Sequence, residues 1–118
     1  MAVAGIGVDV VDLARFERAI TRTPALRERL FAPGERDKPL HSLAARFAAK
    51  EAFMKALGES TGVQWHDMEV VQDGWGAPTL QVSGAAAELV AARGIVRIHL
   101  SMTHDAGVAV ASVVCETA

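Results

Sequence analysis

Two hydrophobic periods divide the chain. The run "AGIGVDVV" alternates and is rich in β-branched residues, which predicts a strand over residues 3–10. The pattern then shifts to a helical spacing. Asp12 is a good N-cap for a helix through "LARFERAI", and Pro24 can open a second short helix to Leu30. "FAPGERDKP" reads as a loop or broken turn. A long helix follows from about Ser42 to Leu57 and stops at Gly58, a natural C-cap residue. "MEVV" and "TLQV" read as strands joined by the turn "DGWGAP". Ser83 can cap a helix "GAAAELVAARG" that ends at Gly94. "IVRIHLSM", the turn "THDAG" and "VAVASVV" form a terminal hairpin. The order β-α-α-α-β-β-α-β-β predicts an α+β fold with a mainly antiparallel sheet packed on the long helix.

The long helix is the anomalous element. At 3.6 residues per turn, Leu43, Phe47, Phe53, Met54 and Leu57 share one face of "RFAAKEAFMKALG" and its flank. Ala45, Ala48, Ala49, Ala52 and Ala56 share a second, smooth face. A helix apolar on two sides is a buried helix. Yet Lys50 projects within the large-residue stripe, Arg46 lies one turn back, and Glu51 and Lys55 sit on the seam between the faces. Burying such charges without partners is costly.

Composition narrows the classes. A chain of 118 residues, 51% of them hydrophobic, fits one domain over residues 1–118 with a real core. A single cysteine, Cys115, excludes an internal disulfide and a cysteine-cluster zinc site, and suits a reducing cytoplasm. Nothing resembles a membrane span or a signal peptide. The net charge of −2 conceals an asymmetry. Residues 1–56 carry ten Lys or Arg against seven Asp or Glu, and residues 57–118 carry two against seven. That is too little for general nucleic-acid binding but enough to give one face a preference for a negative partner.

Asp9 is the lone charge in its apolar strand. It is either a strand-end carboxylate capping a turn, or a metal ligand or catalytic acid. Gly5 and Gly7 beside it allow another group to approach the backbone closely. Glu51 forms either an ordinary i, i+4 pair with Lys55 or, with Asp9, a two-carboxylate site for a hard cation. Magnesium (Mg2+) fits the second alternative, and Arg46, Lys50 and Lys55 then become counterions of a polyphosphate. His104 lies in the polar stretch "SMTHDAG" among Ser101, Thr103 and Asp105, with Gly107 allowing a close approach. His41, His66 and His99 show no metal-ligand spacing and read as structural or exposed. Arg15, Arg18 and Arg22 form one stripe on the first helix, either a solvated face or a docking surface for an acidic helix. General signatures such as a Walker loop, a nucleophile elbow or a zincin motif are absent.

Taken together, "GIGVDVVDLARF" at residues 5–16, "RFAAKEAFMKALG" at residues 46–58 and "LSMTHDAGVAVASVV" at residues 100–114 resemble the small holo-acyl-carrier-protein synthases, a group of 4'-phosphopantetheinyl transferases. The likeness spans nearly the whole chain. Its most specific part is Lys-Glu followed by a lysine four residues after the Glu, paired with the early G-I-G-x-D. It implies the phosphopantetheinyl transferase fold and magnesium-dependent transfer of phosphopantetheine from coenzyme A to a serine of an apo acyl carrier protein, with release of 3',5'-ADP. By position, it implies Asp9 and Glu51 as metal ligands and Lys55 as a phosphate contact. Arg46 and His104 would help hold the coenzyme, and Gly76-Ala77-Pro78 resembles a G-x-P turn beside the adenine. It further implies a homotrimer with active sites between subunits. Three positions depart from the family pattern: Thr103 replaces a serine, Val108 stands where tyrosine is common, and Asp12 where glutamate is frequent. The expected general base is Glu51, with His104 and Asp105 as reserves. Arg15, Arg18 and Arg22 are the expected carrier-docking surface. The competing class is a non-catalytic module that binds a nucleotide or phosphate. It would need the basic cluster but not both carboxylates.

Overall fold

The computed structural model describes residues 1–118. Strand β1 (Ala2–Asp12) leads into helices α1 (Leu13–Arg22) and α2 (Ala25–Leu30), then a 3-10 turn at Pro33–Glu35 and the long helix α3 (Leu40–Leu57). A second 3-10 turn at Trp65–Asp67 precedes β2 (Met68–Gln72), β3 (Pro78–Val82), α4 (Gly84–Ala92), β4 (Ile95–Asp105) and β5 (Val108–Thr117). All pairings are antiparallel. They form a three-stranded sheet of order β1-β5-β4 and a separate β2-β3 hairpin. The expected α+β architecture is therefore present, with the sheet divided in two. No helix is long and apolar enough to cross a membrane.

Helix α3 lies on the inner face of the three-stranded sheet, and its alanines make that possible. Ala48, Ala49 and Ala52 have no exposed surface, and Ala45 and Ala56 have almost none. The helix backbone comes so close to β1 that only glycine fits beneath it. A Cβ on Gly7 would lie 1.8 Å from the Ala52 carbonyl oxygen, and one on Gly5 would lie 1.9 Å from that of Ala56. The close approach anticipated at these glycines is thus made by α3 itself. Gly58 ends the helix in the left-handed conformation at φ +76°, and its N–H donates to the carbonyls of Met54 and Lys55. At the other end, α3 starts at Leu40, two residues ahead of the expected Ser42, directly after Pro39.

The opposite face of the sheet has no covering layer. Ile6, Val8 and Val10 on β1 are 67%, 54% and 60% exposed. Strand register aligns them with Val114, Ser112 and Val110 of β5, and these with His99, Ser101 and Thr103 of β4. The result is an apolar strip along an edge strand.

Two local expectations differ from the structure. "THDAG" is mostly strand: β4 continues to Asp105, and only Ala106 and Gly107 turn, at φ +51° and +81°. Two successive residues with positive φ match the twist of a tight hairpin, so the ladder continues almost to the tip. Ser83 precedes α4 as expected, but its side chain makes no capping hydrogen bond.

Candidate active site

Asp9 lies on the inner, helix-facing side of β1, and its partner across the ladder is Ala111. Glu51 projects from the edge of α3 toward the same place. Together with Val10, Val11, Asp12, Arg15, Phe16, Ala19 and Phe47 they line a cavity of about 330 Å³. Asp12 builds one wall by capping α1, its Oδ2 accepting from the Arg15 N–H at 2.9 Å. Lys55 reaches over from the next turn of α3. Its Nζ donates to Asp9 Oδ1 at 2.8 Å and to the Val8 carbonyl at 3.1 Å, on the unpaired edge of β1. Of the two readings of Glu51, the i, i+4 ion pair with Lys55 is not formed; Lys55 makes a longer-range pair with Asp9. Asp9 does not cap a turn.

The charges in this cavity are coupled. Burial, and then the negative charge of Asp9, hold the Glu51 carboxyl above the usual carboxylate range, and Lys55 pulls it back. Lys55 is itself raised, first by its hydrogen bond to Asp9. Two carboxylates that repel each other in a partly buried pocket, offset by one ammonium, make a hard-oxygen donor set with negative charge to spare. That set fits a magnesium ion completed by water and phosphate oxygens.

Lys50 belongs to a different structure. Its side chain is completely buried. Its Nζ donates to Glu35 Oε1 at 2.7 Å, to the Leu30 carbonyl at 2.7 Å and to the Trp65 carbonyl at 3.5 Å, and it sits 5.1 Å from the centroid of the Phe31 ring. Burial lowers its pKa, and the Glu35 carboxylate opposes that shift. The counterion expected in a polyphosphate is therefore supplied by the chain, and Lys50 does not line the carboxylate cavity. Glu35 also accepts from the N–H groups of Ala32 at 3.0 Å and Val70 at 3.1 Å, with Arg46 Nη1 at 3.7 Å. Glu35, Arg46 and Lys50 are the buried charged residues of the molecule, and they form one cluster. Sequence reasoning did not single out Glu35, which lies in a loop without period. The available signal was indirect: a lysine inside an apolar stripe requires an anion.

Arg46 is nearly buried, with Nη1 donating to the Val70 carbonyl and Nε to Ser42 Oγ at 3.3 Å. It lines a shallow cavity of about 200 Å³ with Gly34, Lys38, Glu69, Val70, Val71 and Gln72. Gln72 pairs with Pro78 across the β2-β3 hairpin, so Pro78 neighbours a residue that lines this cavity, and Gly76 lies in the turn beyond. Asp73 shapes that tip, its Oδ1 accepting from the N–H groups of Trp75 and Ala77.

His104 occupies a third place. It pairs with Ala109 of β5, whose other neighbour is Val11 of β1, so β5 separates the His104 strand from the Asp9 strand. It lines a cavity of about 220 Å³ with His41, Ser42, Ala45, Met102 and Thr103. Asp105, at the end of β4, is exposed and accepts from the Ala106 N–H, outside both cavities. Arg15, Arg18 and Arg22 are all exposed on α1. Arg15 borders the carboxylate cavity, and Arg18 and Arg22 line an open cleft with Ala14, Glu17 and Thr21. The three arginines therefore continue outward from Asp9.

Comparison with known proteins identifies the family and the fold. Residues 5–111 match the 4'-phosphopantetheinyl transferase superfamily. A holo-[acyl-carrier-protein] synthase from Clavibacter sepedonicus is 64% identical over 114 residues, covering 97% of this chain and 96% of the relative. Among solved structures, holo-[acyl-carrier-protein] synthase from Neisseria meningitidis superimposes with a TM-score of 0.90 at 34% identity, over 98% of this chain and all of that one. The ACPS-CoA complex of Chronobacterium ammoniagenes gives 0.86 at 33% identity, over 100% and 99%. With the fold, the length and the sequence all in agreement, the chain belongs to the holo-acyl-carrier-protein synthases of the 4'-phosphopantetheinyl transferase superfamily.

Proposed function

We propose that the Asp9–Glu51–Lys55 cavity is where this enzyme transfers phosphopantetheine from coenzyme A to a serine of an apo acyl carrier protein, releasing 3',5'-ADP. The transferase activity follows from family membership. The observation that carries the site assignment is the meeting of two carboxylates, from a strand and a helix, in one partly buried pocket, with Lys55 paired to one of them. A non-catalytic phosphate-binding module would have no use for two mutually repelling carboxylates.

The reaction is an in-line displacement at the β-phosphorus. The serine oxygen forms the new P–O bond, and the bond to the 3',5'-ADP oxygen breaks. Such transfers depend mainly on positioning and charge neutralisation. Asp9 and Glu51 would hold a magnesium ion, which neutralises the pyrophosphate and makes its phosphorus more electrophilic when bound. Lys55 is half-exposed and within reach of the pocket, so its ammonium can stabilise charge developing on the leaving group. Glu51 lines the same pocket and is the first choice to receive the serine proton, directly or through a water. Arg46 and His104, with the hairpin tip at Gly76 and Pro78, would bind the coenzyme. Arg15, Arg18 and Arg22 lie where an acidic carrier helix would bring its serine toward Asp9.

These groups lie in separate cavities of one chain, and that favours a shared site. The uncovered strip of Ile6, Val8 and Val10 is the apolar surface such an assembly would cover. We propose a homotrimer in which His104 of one subunit faces Asp9 of the next.

Intact-mass analysis of an apo carrier protein tests the reaction. Incubated with this chain, coenzyme A and magnesium, the carrier should gain one phosphopantetheine. Chelation should stop the gain and added magnesium restore it. Asp9→Ala and Glu51→Ala should remain folded and inactive. Undiminished transfer by Asp9→Ala in magnesium-free buffer would overturn the site.

A further inference from the structure

We infer that His41 is a positioning residue for His104, and that the first turn of α3 is the frame that presents the coenzyme-binding side chains. This rests on the reading of His104 and Arg46 as coenzyme contacts. The chain has four histidines, and two are engaged by other groups. His66 Nε2 lies 2.7 Å from the Glu28 carbonyl, and His99 Nε2 lies 2.6 Å from Glu116 Oε1. The other two face each other. The rings of His41 and His104 stack with centroids 4.5 Å apart and planes tilted by 40°. Neither ring makes a hydrogen bond within the chain, so the contact between them is one of ring against ring, and the His104 nitrogens stay free to meet a ligand in the cavity.

The packing explains why His104 needs a neighbour. It sits near the tip of a hairpin on β4, an edge strand of the sheet, and is exposed. A ring there loses rotamer freedom only when something holds it, and that ordering cost falls on ligand binding unless it is met beforehand. His41 meets it from a rigid element, the long helix α3. The next residue serves the other coenzyme candidate in the same way: Ser42 Oγ accepts from Arg46 Nε at 3.3 Å. One helical turn thus fixes two side chains that lie in different cavities.

Stacked aromatic pairs contribute enough to alter affinity by roughly 2- to 10-fold. Calorimetric titration of coenzyme A, with steady-state kinetics alongside, tests the assignment on wild type, His41→Ala, His41→Phe, His104→Ala and the double alanine variant. His41→Ala should weaken coenzyme binding and raise its KM by that factor, with kcat and melting temperature nearly unchanged. His41→Phe, which keeps a ring but no nitrogen, should restore wild-type affinity. In the His104→Ala background, His41→Ala should have no further effect, because residues that act through one another are not additive. Unchanged affinity in His41→Ala, no rescue by phenylalanine, or additive losses in the double variant would each overturn the inference. A loss in His41→Ala without one in His104→Ala would instead refute the coenzyme role of His104, and the positioning role with it.

Discussion

Replacing Lys50 by methionine separates a structural lysine from a coenzyme-binding one. Methionine keeps most of the side-chain volume and removes the ammonium. Lys50 Nζ is the closest partner of Glu35, at 2.7 Å, and both side chains are wholly buried. Breaking a buried pair from one side costs about 3–5 kcal/mol, because the remaining charge has no water to turn to. Here the loss lies toward the lower end. Glu35 keeps two backbone N–H donors and has Arg46 3.7 Å away. The Leu30 carbonyl also loses its donor, which adds about 1 kcal/mol. For a domain of this size, 1 kcal/mol corresponds to about 4 °C in melting temperature, so Lys50→Met should melt about 12–16 °C below wild type. Adding Glu35→Gln should recover part of that loss by removing the stranded charge. Circular-dichroism melts at one fixed protein concentration measure both effects. A Lys50→Met protein that melts within about 2 °C of wild type while its KM for coenzyme A rises would refute the reasoning and return Lys50 to the coenzyme site.

Three further outcomes follow from the geometry. Gly7→Ala would place a methyl group 1.8 Å from the Ala52 carbonyl, so α3 must lift from β1; a loss of at least about 3 kcal/mol is expected in denaturant titration, and an unchanged midpoint would contradict the close packing. The folded-state pKa of Glu51 is raised, so its ionisation opposes folding as pH rises through that value and has no effect in acid below the ordinary carboxylate range; Glu51→Gln should therefore melt higher than wild type at neutral pH, with the gap closing in acid, and a lower neutral melting temperature would reverse the sign. Arg15→Glu with Arg18→Glu should raise KM for the carrier at low salt and leave that for coenzyme A nearly unchanged, since exposed charges steer association; carrier kinetics untouched at low salt would make the stripe a solvated face.

The sequence made some of this plain and hid the rest for physical reasons. Asp9, Glu51 and Lys55 were legible because strand and helix periods expose a charge that does not belong on an apolar face. Gly5 and Gly7 announced a close approach to the β1 backbone, but not that α3 would make it. The partner of Lys50 was not legible. Glu35 is brought to it by the path of a loop, and loops carry no period. Nor could spacing reveal that β5 intervenes between Asp9 and His104, because strand order is a property of pairing and not of sequence order. His41 was set aside for lack of metal-ligand spacing, whereas its relation to His104 is a ring stack across 63 residues.

Whether the carboxylate cavity and the histidine cavity join across subunits is tested most directly by mixing two variants, each impaired in one of them. Asp9→Ala keeps His104, and His104→Ala keeps Asp9. If the site forms between copies, unfolding and refolding the two together in equal amounts should regenerate intact sites. Random assembly of a ring places an intact Asp9 beside an intact His104 at about one interface in four, so about a quarter of wild-type transfer activity should return. Activity no greater than the average of the two variants alone would contradict a site shared between subunits.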